Sequence, residues 1–202
     1  MEAEARKKWI LYSVVTFLSL AADQATKIWA RATLPTQPAN CDVPYDLMSH
    51  KCMGVAKPVI DGYWDWRLSQ NPGSAFGLFA GTSFARVILS LVGIAAVIGM
   101  FYMLRKARND QKILHWALAL VAGGAIGNLV DRVYFGQVTD FILWHYGTHE
   151  WPVFNVADVV LVVGVGLMFI DIQKENKPKK EAAKLAKKKQ MEKAREQGLV
   201  KH

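Results

Sequence analysis

The chain has 202 residues, of which 52% are hydrophobic and 21% are charged, and its formal net charge is +8. This composition excludes an intrinsically disordered chain, because disordered chains have too few apolar residues to bury. The apolar residues gather into long blocks before residue 174, whereas residues 174–202 are mostly Lys, Ala, Glu and Gln. This distribution predicts a small polytopic membrane protein, mainly α-helical, with a basic tail, and argues against a soluble enzyme.

Four blocks have the length and apolar character of membrane-spanning helices, which need about 20 residues. They cover about residues 9–30, 84–104, 113–130 and 156–172. The first block follows Arg6, Lys7 and Lys8 and therefore also fits a removable signal peptide. We favour a retained span, because apolar helical character continues past the supposed cleavage site. Asp23 and Lys27 also stand four residues apart on one helix face, where they can pair.

The distribution of basic residues predicts the orientation of the spans. Of the 25 Lys and Arg residues, 18 lie in segments 1–8, 105–112 and 174–202. The positive-inside rule therefore predicts that both termini are cytoplasmic and that loops 31–83 and 131–155 face outward. We divide the chain into a membrane domain, residues 1–173, and a basic cytoplasmic tail, residues 174–202. The tail fits contact with anionic lipid better than RNA binding, so we predict no nucleic-acid partner.

The first outward loop contains Cys41 and Cys52. In an oxidising compartment these cysteines predict a disulfide, with two free thiols as the alternative. Residues 63–68 alternate and are rich in aromatic side chains, which predicts a strand. No His or Cys cluster has the spacing of metal ligands, so the sequence predicts no metal site.

Four aspartates lie in or beside the spans, near their predicted outward ends: Asp23, Asp131, Asp140 and Asp158. Ionisable groups at this depth are costly, so each needs a partner or a function. Asp131 ends the third span, where its charge opposes the helix dipole, and Arg132 follows it. We interpret Asp131 as a structural ion pair or hydrogen-bond anchor.

Local rules separate the last two aspartates. Asn155 can cap the fourth span with Asp158 at the third helical position, close to a capping box. Capping alone would explain Asp158. Asp140 lies in an extended segment after Gly136, where no local rule requires an aspartate. Asp140 is therefore the hardest of the four to explain as structural.

Two aspartates at one site share a proton, because like charges a few ångströms apart cannot both ionise. One carboxylate then activates a water molecule and the other protonates a leaving amine. No serine has a histidine or lysine partner at a recognisable spacing. The same aspartates would also serve a cation or proton path in a small transporter, or belong to a catalytically silent lipid-binding or assembly protein. Spacing alone leaves these functions open.

Five blocks in order resemble the signature blocks of the lipoprotein signal peptidases (signal peptidase II). They are residues 23–27, 71–77, 127–132, 136–142 and 154–158. The resemblance implies an intramembrane aspartyl endopeptidase of the bacterial inner membrane that needs no cofactor. It would cleave diacylglyceryl-modified prolipoproteins just before the lipidated cysteine. It also implies four spans with a small extracytoplasmic β platform and an active site near that face.

The resemblance further assigns roles to individual residues. Asp140 and Asp158 are the implied catalytic pair, with Asp131 and Asp158 as the second choice. The residues implied to bind substrate or to orient the catalytic pair are Asn71, Gly73, Asn128, Arg132, Asn155 and Ala157. Asp23, Lys27 and Asp131 are expected to stabilise the fold. We expect a monomer whose partners are prolipoprotein substrates and membrane lipids. Residues 35–58 and the basic tail look longer than the family pattern.

Overall fold

The computed structural model describes residues 2–73 and 83–196, and for 83–85, 177–190 and 192–196 it describes the backbone alone. The helices are α1 (Glu2–Thr33), α2 (Tyr45–Met48), α3 (Ser83–Lys106), α4 (Lys112–Tyr134) and α5 (Val156–Glu196). The strands are β1 (Thr36–Gln37), β2 (Met53–Gly54), β3 (Lys57–Ile60), β4 (Trp64–Asn71), β5 (Val138–Tyr146) and β6 (His149–Glu150). The protein is therefore mainly helical, with small sheets between the long helices.

Three helices in the described part of the chain are long and apolar enough to cross a membrane. They are the segments Arg86–Lys106 of α3, Lys112–Tyr134 of α4 and Val156–Asn176 of α5. These segments match three of the four predicted spans. The helix α1, the predicted first span, is more polar because its buried face carries Lys8, Asp23 and Lys27. Its other face exposes Phe17 and Leu18.

The helix α4 lies at the centre and is packed against α1 and α5 through small residues. A Cβ atom added at Gly123 would lie 2.6 Å from Ser19 Cβ of α1. A Cβ atom added at Gly124 would lie 2.6 Å from the carbonyl oxygen of Ala157 in α5. Small residues let helix backbones approach closely, which is the usual way in which helices associate inside a bilayer. This close approach brings polar groups of all three helices together at one end of α4.

A four-stranded antiparallel sheet, in the order β3-β4-β5-β6, covers that end of the helices. The strand predicted over residues 63–68 is found as β4. Ser69 of β4 faces Asp140 of β5, and Asn71 faces Val138. Alternate side chains of a strand point to opposite faces. Phe141 therefore enters a hydrophobic cluster with Leu68, whereas Asp140 points the other way.

The long segment 35–58 is folded against β4. Its strands β1 and β2 pair with each other, and a disulfide joins Cys41 to Cys52. Leu47 and Cys52 are buried in the same hydrophobic cluster as Leu68. The segment 35–58, which is longer than the family pattern, is thus packed against the four-stranded sheet.

The helix α5 continues past the predicted domain boundary at residue 173 and reaches Glu196, the last residue that the structure describes. No helix end therefore separates the membrane segment from the basic tail. Residues 197–202 of that tail lie outside the described residues. The described fold is that of a mainly helical membrane protein, and it does not define the tail as a separate unit.

Candidate active site

Asp140 and Asp158 come from different elements and are joined by two asparagine side chains. Asp140 lies on β5, and Asp158 lies in the first turn of α5. Asn155 Nδ2 donates to Asp140 Oδ1 at 2.6 Å and to Asn128 Oδ1 at 3.1 Å. Asn128 Nδ2 in turn donates to Asp158 Oδ1 at 2.9 Å. The two carboxylates therefore belong to one continuous hydrogen-bond network.

The first turn of α5 fixes the Asp158 side chain. The backbone N–H of Asn155 donates to Asp158 Oδ2 at 3.2 Å, and the backbone N–H of Asp158 donates to Asn155 Oδ1 at 3.1 Å. This reciprocal pair confirms the capping arrangement that the sequence predicts. The positive end of the helix dipole also favours a negative charge at this position. Asp158 is only half-buried, so a reactant can reach it.

Asp140 is 2% exposed and accepts a second hydrogen bond, from Asn71 Nδ2 at 3.0 Å. Burial, and after it the negative charge of Asp158, raise the pKa of the Asp140 carboxyl from 3.8 to about 7. The amide donors of Asn71 and Asn155 oppose these two effects but are weaker. Asp140 can therefore hold or release a proton near neutral pH, as a general acid or base must.

The orientation of the Asn71 amide is fixed by the turn that follows β4. The backbone N–H of Gly73 donates to Asn71 Oδ1 at 2.8 Å, which turns Nδ2 towards Asp140. Gly73 has φ +92, a conformation that side chains other than glycine rarely adopt. Residues 74–77 of the block that begins at Asn71 lie outside the described residues.

Lys27 is fully buried beneath this network. Its Nζ lies 2.9 Å from Asp23 Oδ2, which confirms the predicted pair, and it also donates to Asn128 Oδ1 at 3.0 Å. Because Asn128 Oδ1 accepts hydrogen bonds from both Lys27 and Asn155, the amino group of Asn128 must face Asp158. Lys27 thereby sets the direction of an amide that contacts the candidate dyad.

Asp131 contacts the backbone of β5. Its Oδ2 accepts a hydrogen bond from the Thr139 N–H at 2.8 Å and lies 3.6 Å from Lys27 Nζ and 3.7 Å from Arg31 Nη1. Thr139 immediately precedes Asp140, so this contact anchors the strand beside the candidate site. These partners are those of a structural anchor, the role that the sequence predicts.

Asp23 anchors the start of α5 in a similar way. Its Oδ1 accepts a hydrogen bond from the Ala157 N–H at 2.9 Å, and Ala157 is fully buried against α4. Ala157 can therefore affect the dyad through packing and through this backbone hydrogen bond. Arg132 is half-buried near the network, and its Nη1 lies 3.4 Å from the carbonyl oxygen of Asn128.

Two residues that sequence reasoning did not single out hold these elements together. Gln24 Nε2 lies 3.1 Å from Asp23 Oδ2, 3.1 Å from the carbonyl oxygen of Gly127 and 3.4 Å from Asp131 Oδ1. Arg86 of α3 donates to the carbonyl oxygens at the end of α4, including that of Val133 at 3.0 Å. Gln24 lies inside the block 23–27, so the sequence contains a signal for it. The Arg86 contact is long-range and leaves no local signal.

An apolar groove of about 310 Å³ reaches the Asp158 side chain. It is lined by Trp144, Trp151, Phe154, Asp158, Val159, Val162 and Val163. The rings of Trp144 and Phe154 meet edge to face with centroids 5.0 Å apart. Among the described residues, no group of three His, Cys, Asp or Glu side chains is placed to hold a metal ion. The site therefore combines a carboxylate pair with an adjacent surface suited to hydrocarbon.

Comparisons with a family model and with individual proteins point to the same family. The family model described as signal peptidase (SPase) II matches residues 15–174. A lipoprotein signal peptidase from Bacillus pumilus is 35% identical over 173 residues, which are 86% of this chain and 99% of that protein. One from Geobacter metallireducens is 34% identical over 167 residues, which are 83% of this chain and 93% of that protein.

Solved structures show the same fold. Two structures, each described as a bacterial membrane enzyme determined by the in meso method, match this chain. The first has a TM-score of 0.62 and 25% identity, covering 82% of this chain and 88% of the other. The second has a TM-score of 0.61 and 26% identity, covering 80% of this chain and 91% of the other.

Proposed function

The chain belongs to the signal peptidase II family, and we propose that Asp140 and Asp158 are the catalytic dyad of its reaction. The protein is an aspartic endopeptidase that removes signal peptides from prolipoproteins, and nothing in its relatives favours a transporter. The observation that carries the dyad assignment is the hydrogen-bond chain from Asp140 through Asn155 and Asn128 to Asp158. These hydrogen bonds connect the buried carboxyl group of Asp140 to the accessible carboxylate of Asp158.

The two carboxyl groups take different roles because their surroundings differ. Asp158, at the positive end of α5 and hydrogen-bonded to a backbone N–H, acts as the general base and accepts a proton from the attacking water. Asp140 is protonated and donates to the carbonyl oxygen of the scissile bond. When the tetrahedral intermediate breaks down, the proton on Asp158 passes to the leaving amine and Asp140 recovers its own proton. The reaction requires only these protons and one water molecule.

The surrounding polar residues keep this pair in position. Asn71, Asn128 and Asn155 each donate an amide hydrogen bond to one of the two carboxylates, and Gly73 fixes the amide of Asn71. A fixed arrangement of donors lowers the barrier because no reorganisation is needed during the reaction. The half-buried guanidinium of Arg132 is available to hold the substrate backbone.

The groove beside Asp158 supports a lipid-modified substrate. Its lining is almost entirely apolar and includes the exposed Val162 and Val163 of α5. Each buried CH₂ group contributes about 0.8 kcal/mol, so acyl chains in this groove can position a peptide bond at the dyad. We infer that the substrate is a diacylglyceryl-modified prolipoprotein, cut just before its lipidated cysteine, and we propose that the protein acts as a monomer.

The helices support a defined placement in the membrane. With α1 as a fourth span, the dyad and the sheet lie at the outward face, and α1 begins at the cytoplasmic face. The exposed Phe17 and Leu18 of α1 suit contact with lipid, whereas Asp23 and Lys27 are fully buried. The Asp23 contact with the Ala157 N–H also supports a retained α1 over a removable signal peptide. The basic segments then face the cytoplasm of a bacterial inner membrane.

A cleavage assay on a purified precursor tests this function. Wild-type protein in detergent should convert a diacylglyceryl-modified prolipoprotein to a product that begins with the lipidated cysteine, and it should act far more slowly on the same precursor without lipid. Folded Asp158→Asn should lose at least about 100-fold in rate, the usual contribution of a general base. Equal cleavage of both precursors would contradict the lipid assignment, and undiminished cleavage by Asp158→Asn would contradict the dyad.

A further inference from the structure

A second cavity, lined mostly by polar residues, lies far from the dyad, between the start of α1 and the start of α4. It has a volume of about 310 Å³ and is lined by Glu4, Lys7, Lys8, Leu11, Asn109, Lys112 and His115. Lys8 and Lys27 are 19 residues apart on the same helix, which corresponds to about 28 Å at 1.5 Å per residue. This separation is close to the thickness of the hydrocarbon core of a bilayer, about 30 Å. The cavity therefore lies at the opposite membrane surface.

Lys8 is the unusual residue of this cavity. It is only 8% exposed, and its Nζ donates to the carbonyl oxygen of Ala107 at 2.9 Å. That bond uses one of the three donors of an ammonium group. It is the one hydrogen bond that the structure gives Lys8 within the described residues. A buried ammonium with donors to spare, beside an open cavity, is suited to an anionic ligand.

The rest of the lining adds positive charge. Lys112 is exposed at the cavity and begins α4, whose first turn contains no acidic residue. The N-terminus of a helix attracts anions through its free N–H groups and its dipole. Glu4 is the one carboxylate of the lining, and its Oε1 lies 2.6 Å from Lys7 Nζ. Lys8 and Lys112 therefore remain as the positive charges available to a ligand.

Acidic residues near the cavity are engaged elsewhere. Arg108 lies 3.1 Å from Asp110 and 2.8 Å from Glu175. Asp171 accepts a hydrogen bond from Gln111 at 3.3 Å. These contacts leave the positive charge of the cavity largely uncompensated.

Aromatic side chains mark this end of the helices as the level of lipid headgroups. Tyr102 and Trp116 are both largely exposed, and the ring of Trp9 packs against Phe101 with centroids 5.2 Å apart. Trp and Tyr concentrate where hydrocarbon meets water, and this is also the depth of phospholipid phosphates. The phosphates of lipid headgroups therefore lie at the level of the cavity.

We propose that this cavity binds the phosphate of an anionic phospholipid, with Lys8 and Lys112 as its charged donors. The site holds one lipid where α1 and α4 begin and so joins them at the face opposite the dyad. Zwitterionic lipids carry the same phosphate but also a cation, which the lysines disfavour. The site does not depend on the assignment of the catalytic residues.

Native mass spectrometry of the full chain in detergent tests the proposal. The protein is titrated separately with phosphatidylglycerol, with phosphatidylcholine and with inorganic phosphate. The variants are Lys112→Gln and Lys8→Gln. The matched control is Arg105→Gln, which removes one positive charge in the last turn of α3, outside the cavity lining. Thermal unfolding of each variant shows whether it remains folded, and Lys112→Gln provides the test if Lys8→Gln does not fold.

The expected result is one phosphatidylglycerol molecule bound more tightly than phosphatidylcholine by wild type and by Arg105→Gln. Its affinity should fall about fivefold in Lys112→Gln, which corresponds to about 1 kcal/mol for one basic residue near a membrane surface. Equal phosphatidylglycerol binding by Lys112→Gln and Arg105→Gln would overturn the site. Binding of inorganic phosphate as tight as that of phosphatidylglycerol would overturn the assignment to a lipid.

Discussion

Lys27 and Asn128 are joined by a buried hydrogen bond of 3.0 Å between Nζ and Oδ1. Asn128 Nδ2 donates a hydrogen bond to Asp158 Oδ1 at 2.9 Å, and Lys27 Nζ also lies 2.9 Å from Asp23 Oδ2. The ammonium group of Lys27 therefore has two roles. It pairs with Asp23, which anchors the start of α5, and it orients the Asn128 amide that contacts Asp158. Structural and catalytic contributions of Lys27 are separable by experiment.

The variant Lys27→Met should lower both stability and activity. Removing one partner from a buried charge pair costs about 3–5 kcal/mol, because the carboxylate of Asp23 is left uncompensated. The amide of Asn128 also loses the contact that directs it, so the cleavage rate per folded molecule should fall about tenfold or more, as expected for a lost buried hydrogen bond. Unfolding midpoints and precursor cleavage measure the two effects. Lys51→Met, at an exposed lysine, is the control. A normal rate per folded molecule would contradict the orienting role.

The pH dependence of cleavage should follow the protonation of Asp140. The pKa of Asp140 is raised to about 7, first by burial and then by the charge of Asp158. Below this pKa the carboxyl keeps the proton that it donates. Activity should therefore hold below about pH 7 and fall about tenfold per pH unit above it, measured as kcat/KM between about pH 5 and pH 9. A rate that stays constant to the alkaline limit would contradict this assignment.

The same raised pKa has a consequence for stability. A carboxyl whose pKa is higher in the folded state than in the unfolded state favours folding below the unfolded pKa of 3.8. This contribution is lost as the pH rises through the folded value of about 7. The unfolding midpoint of wild type should therefore fall as the pH rises through about 7, because this stabilising contribution of Asp140 is lost, and Asp140→Asn should lack this pH-dependent part.

Gly127→Ala should disturb the site through packing. A Cβ atom at Gly127 would lie 3.0 Å from Asp23 Cγ and 3.4 Å from Ala157 Cβ, and it would contact Asp23 Oδ2 still more closely. Overpacking of this kind costs about 1–3 kcal/mol. It should also displace the start of α5 and lower the cleavage rate. The matched control is Gly99→Ala in α3, where a Cβ atom meets no heavy atom within 4 Å.

Gly99→Ala should leave cleavage unchanged and leave stability equal or slightly higher, since alanine favours a helix by about 1 kcal/mol relative to glycine. Equal effects of the two substitutions on cleavage would show that the contact between Gly127 and Asp23 does not matter for the site. Thermal unfolding and initial rates on the lipidated precursor provide both readouts.

Local features of this molecule were predictable from sequence. The apolar blocks locate α3, α4 and the first part of α5 to within a few residues, because a bilayer demands a fixed length of apolar helix. The cap at Asn155 and Asp158 follows from a spacing of three residues at a helix start. The alternating segment 63–68 corresponds to part of β4, which extends to Asn71.

Long-range contacts were not predictable in this way. The hydrogen bond from Lys27 to Asn128 spans 101 residues, and that from Gln24 to Gly127 spans 103. Such contacts depend on how closely α1 approaches α4, which no single segment reveals. The packing of segment 35–58 against β4 likewise depends on tertiary contacts of Leu47 and Cys52.

The most direct test of the proposed dyad compares Asp140→Asn with Asp131→Asn on a diacylglyceryl-modified precursor, with unfolding measured in parallel. Asp140→Asn should remain folded and lose at least about 100-fold in rate. Asp131→Asn should be less stable, because it weakens contacts with Lys27 and Arg31, yet cleave within about tenfold of wild type per folded molecule. Normal cleavage by Asp140→Asn together with an inactive but folded Asp131→Asn would assign the reaction to Asp131 and Asp158 instead.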